Sequence, residues 1–278
     1  MRVYKVKQGI ILEKDKSFFH VENQNWDTFI NDDNLFEKIK AALRDLKPLS
    51  QPRETVLKEI QAPIQSQEVW ASGVTYLRSK VGRQEESKNA GGSDFYARVY
   101  EAERPELFFK ATPGRVAAPG GKVRIRKDST WDVPEPELTL VITSNAKIVG
   151  YTIGNDMSSR SIEGENPLYL PQAKTYDGCA ALGPCIFVTQ NPLPEDTIIQ
   201  LEITRENKKV FGGSIAISQI KRTFTELVGF LYRETSFPNG SFLMTGTGIV
   251  PGSEFTLQKG DQISITIEPI GTLLNSVG

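Results

Sequence analysis

The sequence predicts a mainly β (α+β) chain, with a small N-terminal α+β domain over residues 1–65 and a larger catalytic body over residues 66–278. Three observations carry this. After Glu68 the chain breaks into short β-prone runs separated by Gly/Pro turns such as Pro119-Gly120-Gly121 and Pro251-Gly252. Before that, Leu35, Ile39, Leu43 and Leu46 recur at helical spacing. Between the two lies a polar stretch, 47–66, bearing Pro48, Pro52 and Pro63, whose composition suits a linker.

Taken in order, the first residues read as a strand pair turning at Gly9. The helix follows the polar run Asn31-Asp32-Asp33-Asn34, where Asn34 and Glu37 fit a capping box, and it ends before Pro48. In the body the expected strands are EVWASGVTY, PELFFK, KVRIRK, ELTLVIT, KIVGYTI, TIIQLEITR, KKVFGG, SFLMTG and DQISITIEP. Helices are expected near 94–104 and 223–233. No Rossmann glycine fingerprint or P-loop follows a strand, which argues against dinucleotide and nucleotide chemistry.

Charge removes further classes. With 33 basic and 34 acidic residues, the chain lacks the electrostatic footprint for nucleic acid or an anionic membrane. Two cysteines, Cys179 and Cys185, cannot build a disulfide framework or a four-ligand zinc site, and they read as small packed hydrophobes. No apolar run suits a membrane span or a signal peptide, so a cytoplasmic setting is expected. A single histidine, His20, leaves acid/base chemistry to carboxylates, lysine, tyrosine or a metal.

The segment Trp131-Asp132-Val133-Pro134-Glu135-Pro136-Glu137-Leu138 is the most informative. Strand alternation puts Glu135 and Glu137 on one face and Leu138, Leu140 and Ile142 on the other. The flanking prolines point to a strand entrance or edge. The next strand ends in Gly154-Asn155-Asp156, and a hairpin of this length returns Asp156 towards Glu135. Three converging carboxylates repel one another unless a cation joins them, and hard oxygen ligands suit Mg²⁺, with Mn²⁺ or Ca²⁺ also acceptable.

In order, PELFFKATPGRV, PEPELTLVI, VGYTIGNDMSSR, AKTYDGCAALGPCIFV, FLMTGTG and IGTLLN resemble the fumarylacetoacetate hydrolase superfamily over residues 68–278. The resemblance implies an incomplete, mixed β-barrel body, a metal held by Glu135, Glu137 and Asp156, and a 2-oxo acid substrate. It matches Lys174 to the active-site lysine and Thr247 to a threonine near the substrate carboxylate. It also implies a homo-oligomer, a dimer or tetramer.

Two departures matter. Members that cleave C–C bonds commonly carry a histidine where this chain has Ser79, in Gly73-Val74-Thr75-Tyr76-Leu77-Arg78-Ser79. The larger fumarylacetoacetase type places one shortly after Asp94-Phe95-Tyr96, where Tyr100 and Glu101 stand here. A branch without these histidines, the 2-keto-3-deoxy sugar-acid dehydratases of the arabinonate type, is similar in its TYLRS and RPELFFKATP runs. That resemblance implies that Glu106 acts beside the metal-bound substrate with Lys174, in sugar-acid and pentose catabolism. The alternative is a C–C hydrolase of a 2,4-diketo acid.

Each single residue also has a plainer reading. Glu106 can pair with Lys110 or Arg104, and Lys174 can be a solvated loop lysine. Arg78 and Arg160 can bind the substrate carboxylate or hydroxyls, or balance the acidic cluster. Tyr76 and Tyr96 suit pocket lining or core.

Overall fold

The computed structural model describes residues 1–78 and 98–278. Its first strands, β1 (Arg2–Val6), β2 (Gly9–Lys14) and β3 (Ser17–Val21), form an antiparallel meander whose first turn uses Gly9 at φ +136°. Then come α1 (Trp26–Ile30), α2 (Leu35–Asp45) and the short α3 (Arg53–Val56). Helix α2 begins and ends where its periodicity indicates, but Asn34 makes no side-chain cap; its φ of −112° and ψ of 32° are not extended, so the capping box does not form.

The proline-bearing stretch is no free linker. Gln61 N donates to Lys5 O at 2.8 Å and Lys7 N to Glu59 O at 3.3 Å, so the chain runs back along β1. Arg53 adds a side-chain anchor, donating to both oxygens of buried Glu13 at 3.1 and 3.2 Å, while the Tyr4 hydroxyl donates to Glu13 Oε2 at 2.5 Å.

The body contributes β4 (Glu68–Gly73), β5 (Glu106–Ala111), β6 (Val116–Ala117), β7 (Lys122–Val123), β8 (Asp132–Val133), β9 (Pro136–Ile142), β10 (Ile148–Asp156) and β11 (Ser158–Ser159). After α4 (Arg160–Glu165) and α5 (Leu170–Lys174) follow β12 (Ala180–Phe187), β13 (Ile198–Arg205) and β14 (Lys208–Ala216). Helix α6 (Phe224–Leu231), capped by the Thr223 side chain, precedes β15 (Ser241–Met244), β16 (Gln262–Ile267) and β17 (Gly271–Val277). The run KVRIRK yields only the two-residue β7; of the expected helix near 94–104, residues 98–101 are helical, with Ala102 N donating to Arg98 O at 2.8 Å, while 94–97 lie outside the described residues.

A ten-stranded mixed sheet has the order β3-β2-β1-β12-β10-β9-β15-β4-β5, with β6 beside β12. A five-stranded sheet has the order β14-β13-β16-β17-β7, and β11 pairs with β8. The two ends of the large sheet do not meet, so the barrel stays open. Strand β1 joins β12 directly, which makes the N-terminal meander an extension of the body's sheet.

Two apolar clusters hold these layers. Leu138, Leu140 and Ile142 of β9 pack towards Ile199, Leu201, Ile203, Ile263 and Ile265 of the five-stranded sheet. Val69, Ala71, Val141 and Phe242 face the other way, with Trp26 and Phe29 of α1 and Leu35 and Ile39 of α2. Each fully buried Leu or Ile contributes roughly 1.5–3 kcal/mol. Pro136 opens β9 as its first residue, but β9 lies between β10 and β15 inside the sheet rather than at its edge.

Candidate metal centre and active site

The hairpin of β9 and β10 places the carboxylates. Gly154 pairs with Glu137 and Asn155 with Pro136, and Glu135 and Asp156 exchange main-chain bonds at 2.9 and 3.2 Å. Glu135, Glu137 and Asp156 each offer an oxygen within 4.8 Å of the others, and all three are buried. Gly154, which pairs with Glu137, is packed by Thr139 and Met244; a Cβ there would stand 2.4 Å from Thr139 Oγ1.

Among the described residues three cations contact the triad, Lys174, Arg160 and Lys110. Lys174, the last residue of α5 and fully buried, donates Nζ to Glu135 Oε2 at 2.7 Å, Asp156 Oδ2 at 3.2 Å and Ser158 Oγ at 2.6 Å. It is a pocket residue, not a solvated loop lysine. Arg160, capped into α4 beside Ser159, donates Nη2 to Glu135 Oε1 at 2.7 Å, and its Nε lies 3.8 Å from buried Glu163. Of its two readings, this contact is the one that balances the acidic cluster.

Glu137 takes a different partner. The main-chain N–H of Gly246 donates to its Oε2 at 2.5 Å, which needs Gly246 at φ +95° and tolerates no Cβ, since one would lie 2.0 Å from Thr75 Oγ1. Burial above all, and then the charges of Asp156 and Glu135, push the Glu137 carboxyl well above the usual carboxylate range, against Lys174 and the Gly246 N–H. An all-oxygen, buried, mutually repelling donor set fits a hard divalent cation, which would relieve that repulsion.

The cleft at this centre is lined by Ser72, Gly73, Val74, Phe108, Glu135, Arg160, Lys174 and Thr247. Glu106 comes from β5 opposite Gly73, and its carboxylate packs over that glycine so closely that a Cβ on Gly73 would stand 1.9 Å from Glu106 Oε2. Thr247 is buried, its hydroxyl bonded to the main chain of Ile249 at 3.2 and 3.3 Å. Arg78 is exposed and is not among the described residues lining the cleft. Ser79 and Asp94-Phe95-Tyr96 lie outside the described residues.

Lys110 does not form the expected pair with Glu106. It is completely buried and lies 2.5 Å from Asp156 Oδ1, while Arg104 stacks over Phe230 with 5.4 Å between guanidinium carbon and ring centre. Ser158 and Gly246 are further contacts that the residue pattern did not single out. Strand parity is the signal that reaches Lys110: it shares a β5 face with Glu106 and Phe108.

Tyr76 is fully buried, Cys179 and Cys185 are buried and free, and His20 sits on β3, with Nε2 3.2 Å from Gln8 O. Among the described residues no helix is long and apolar enough to cross a membrane.

The sequence family described as "Fumarylacetoacetate (FAA) hydrolase C-terminal" matches residues 69–278. A Haloferax volcanii protein described as a probable 2-keto-3-deoxyxylonate dehydratase is 48% identical over 216 residues, covering 77% of this chain and 73% of that one. The 2-dehydro-3-deoxy-D-arabinonate dehydratase of Saccharolobus solfataricus is 45% identical over 222 residues, covering 78% and 74%. A solved structure described as 2-keto-3-deoxy-D-arabinonate dehydratase complexed with magnesium and 2,5-dioxopentanoate is similar with a TM-score of 0.83 and 34% identity, over 100% of this chain and 98% of that one.

Proposed function

We propose that this chain, which belongs to the fumarylacetoacetate hydrolase family, is a divalent-metal-dependent dehydratase of 2-keto-3-deoxy sugar acids. The observation that carries the reading is the buried triad Glu135, Glu137 and Asp156 with Lys174 bonded across it and Glu106 packed over Gly73, a residue of the same cleft. The 45–48% identity to two sugar-acid dehydratases supports the substrate class.

A divalent cation, Mg²⁺ in the first place, held by the three carboxylates would supply a Lewis acid for the carboxylate and keto oxygens of a 2-oxo acid. Glu106 takes the proton from C3. Lys174 holds a proton at Nζ, oriented by Glu135, Asp156 and Ser158, and delivers it to the departing C4 hydroxyl, so that water leaves. Arg160 holds Glu135 in place through Nη2. Thr247 and Arg160, which line the cleft, and Arg78 are assigned to the substrate's polar groups. The elimination requires no activated water, consistent with a chain whose single histidine lies on β3.

A 2-oxo acid panel tests this. Loss of water from a 2-keto-3-deoxy acid is the expected result. Release of pyruvate from a 2,4-diketo acid, with every deoxy acid untouched, would replace the reading with C–C hydrolysis. Gel filtration with light scattering tests the expected dimer or tetramer, and fractionation of the source cell the cytoplasmic setting.

A further inference from the structure

Lys110 is a lysine with 0% exposure on a strand whose neighbours Leu107, Phe108 and Phe109 are apolar. Burying an ammonium is costly unless it is paired and hydrogen-bonded. Here the charge is paired and two donors are used: Nζ lies 2.5 Å from Asp156 Oδ1 as an ion pair, donates to Met157 O at 2.9 Å, and donates to the main-chain carbonyl of Lys174. One ammonium therefore ties together β5, the end of β10 and the end of α5. Those elements carry Glu106, Asp156 and Lys174.

The division of labour on Asp156 is telling. Its Oδ2 faces the Lys174 ammonium at 3.2 Å while its Oδ1 faces Lys110, so the carboxylate plane is held from both ends. A carboxylate has about four lone-pair directions, so both contacts leave room for a further cation. The ring of Tyr176, its centroid 5.8 Å from the Lys110 Nζ, covers this ammonium. Because the same ammonium also holds the Lys174 carbonyl, the metal ligand and the proton-transferring lysine share one anchor.

We propose that Lys110 is a positioning residue that orients Asp156 towards the metal and fixes Lys174 relative to it. The inference rests on the metal reading of the triad. Metal-depleted native protein, Lys110→Met and Lys110→Gln are titrated with Mn²⁺ by calorimetry, their folds are followed by circular dichroism, and kcat and KM are measured at saturating Mn²⁺. Native protein should bind one Mn²⁺, and Lys110→Met should bind it about ten- to a hundredfold more weakly, the range for groups that orient a metal ligand. At saturating metal its kcat should remain reduced while KM changes little, because Lys174 has lost its anchor. Lys110→Gln, which keeps a donor without the charge, should fall between the two.

Folded Lys110→Met with native Mn²⁺ affinity would overturn this inference and leave the metal reading intact. Absence of Mn²⁺ binding by the native protein would overturn both. Failure of both variants to fold, even with Mn²⁺ present, would assign Lys110 to folding alone and overturn the inference.

Discussion

Lys174 Nζ lies 2.7 Å from Glu135 Oε2, joining the residue assigned to proton transfer to a residue assigned to the metal. The contact separates two roles that a mutation could confuse. Lys174→Met removes the proton donor but none of the three carboxylates. Turnover should fall by about 10²–10⁴, the usual range for general acid/base groups, while calorimetry still finds Mg²⁺ bound. Trapping of a substrate adduct by borohydride would instead give Lys174 a Schiff-base role.

The metal makes the second prediction. Chelator should abolish turnover and Mg²⁺ or Mn²⁺ should restore it. Glu137→Gln replaces a charged ligand by a neutral amide and should weaken metal binding at least about tenfold. Full activity in metal-free protein, measured after exhaustive chelation, would contradict the assignment of all three carboxylates.

Gly73 gives a third, because its missing side chain is the space that Glu106 fills. Gly73→Ala forces the Glu106 carboxylate aside, and a displacement of about an ångström costs on the order of a hundredfold in rate. Glu106→Gln keeps the shape and removes the base, so it should lower kcat by at least as much. Neither change should alter Mg²⁺ affinity; loss of metal in either variant would make Glu106 a ligand.

The fold accounts for a fourth, on pH. Burial raises the Glu13 carboxyl, but the Tyr4 hydroxyl, Arg2 and Arg53 outweigh it and hold the group below its usual value. A depressed folded value means that the contribution is complete above the unfolded value, about 4.3. It declines as pH drops below that and is lost once pH passes through the lower, folded value. Glu13→Gln should cost about 1 kcal/mol at neutral pH, because Arg2 and Arg53 keep access to solvent. It should also flatten the acid limb in denaturant titrations; an unchanged acid limb would remove Glu13 as the source.

His20→Asn should leave turnover within about twofold, as for a surface change. A loss above roughly a hundredfold in a folded variant would place general acid/base work on His20.

Much of the centre was legible because strand alternation and hairpin length are geometric constraints. Glu135 and Glu137 sit two apart, and a return strand of fixed rise brings Asp156 back to them. Lys174 was not legible as a buried residue, since its neighbours Gln172, Thr175 and Asp177 are polar and its environment comes from β9, β10 and Ser158. Lys110 was misplaced because its nearest acid in sequence is Glu106, whereas its acid in space is 46 residues away on β10, as the numbering of Lys110 and Asp156 shows.

Strand β12 escaped periodicity for a different reason. Pro184 interrupts the run AALGPCIF, and proline normally argues against an interior strand. Here it falls where the register with β10 shifts between Tyr151 and Ile153, a bulge that has no ladder donor to lose. Strand β17 was hidden by its short, mixed sequence GTLLNSV, in which Leu273, Asn275 and Val277 face inward and Asn275 Nδ2 is satisfied by Ala118 O and Gly121 O.

The most direct test of the central claim is the mass spectrum of the product formed from a 2-keto-3-deoxy pentonate in deuterated water. Loss of water across C3 and C4, then loss of a C5 proton with protonation at C3 to give the C4–C5 enol, and ketonisation of that enol by protonation at C4, predict 2,5-dioxopentanoate with all five carbons retained, one water lost, and solvent deuterium at C3 and C4. Intact deoxy acid beside pyruvate released from a 2,4-diketo acid would contradict it.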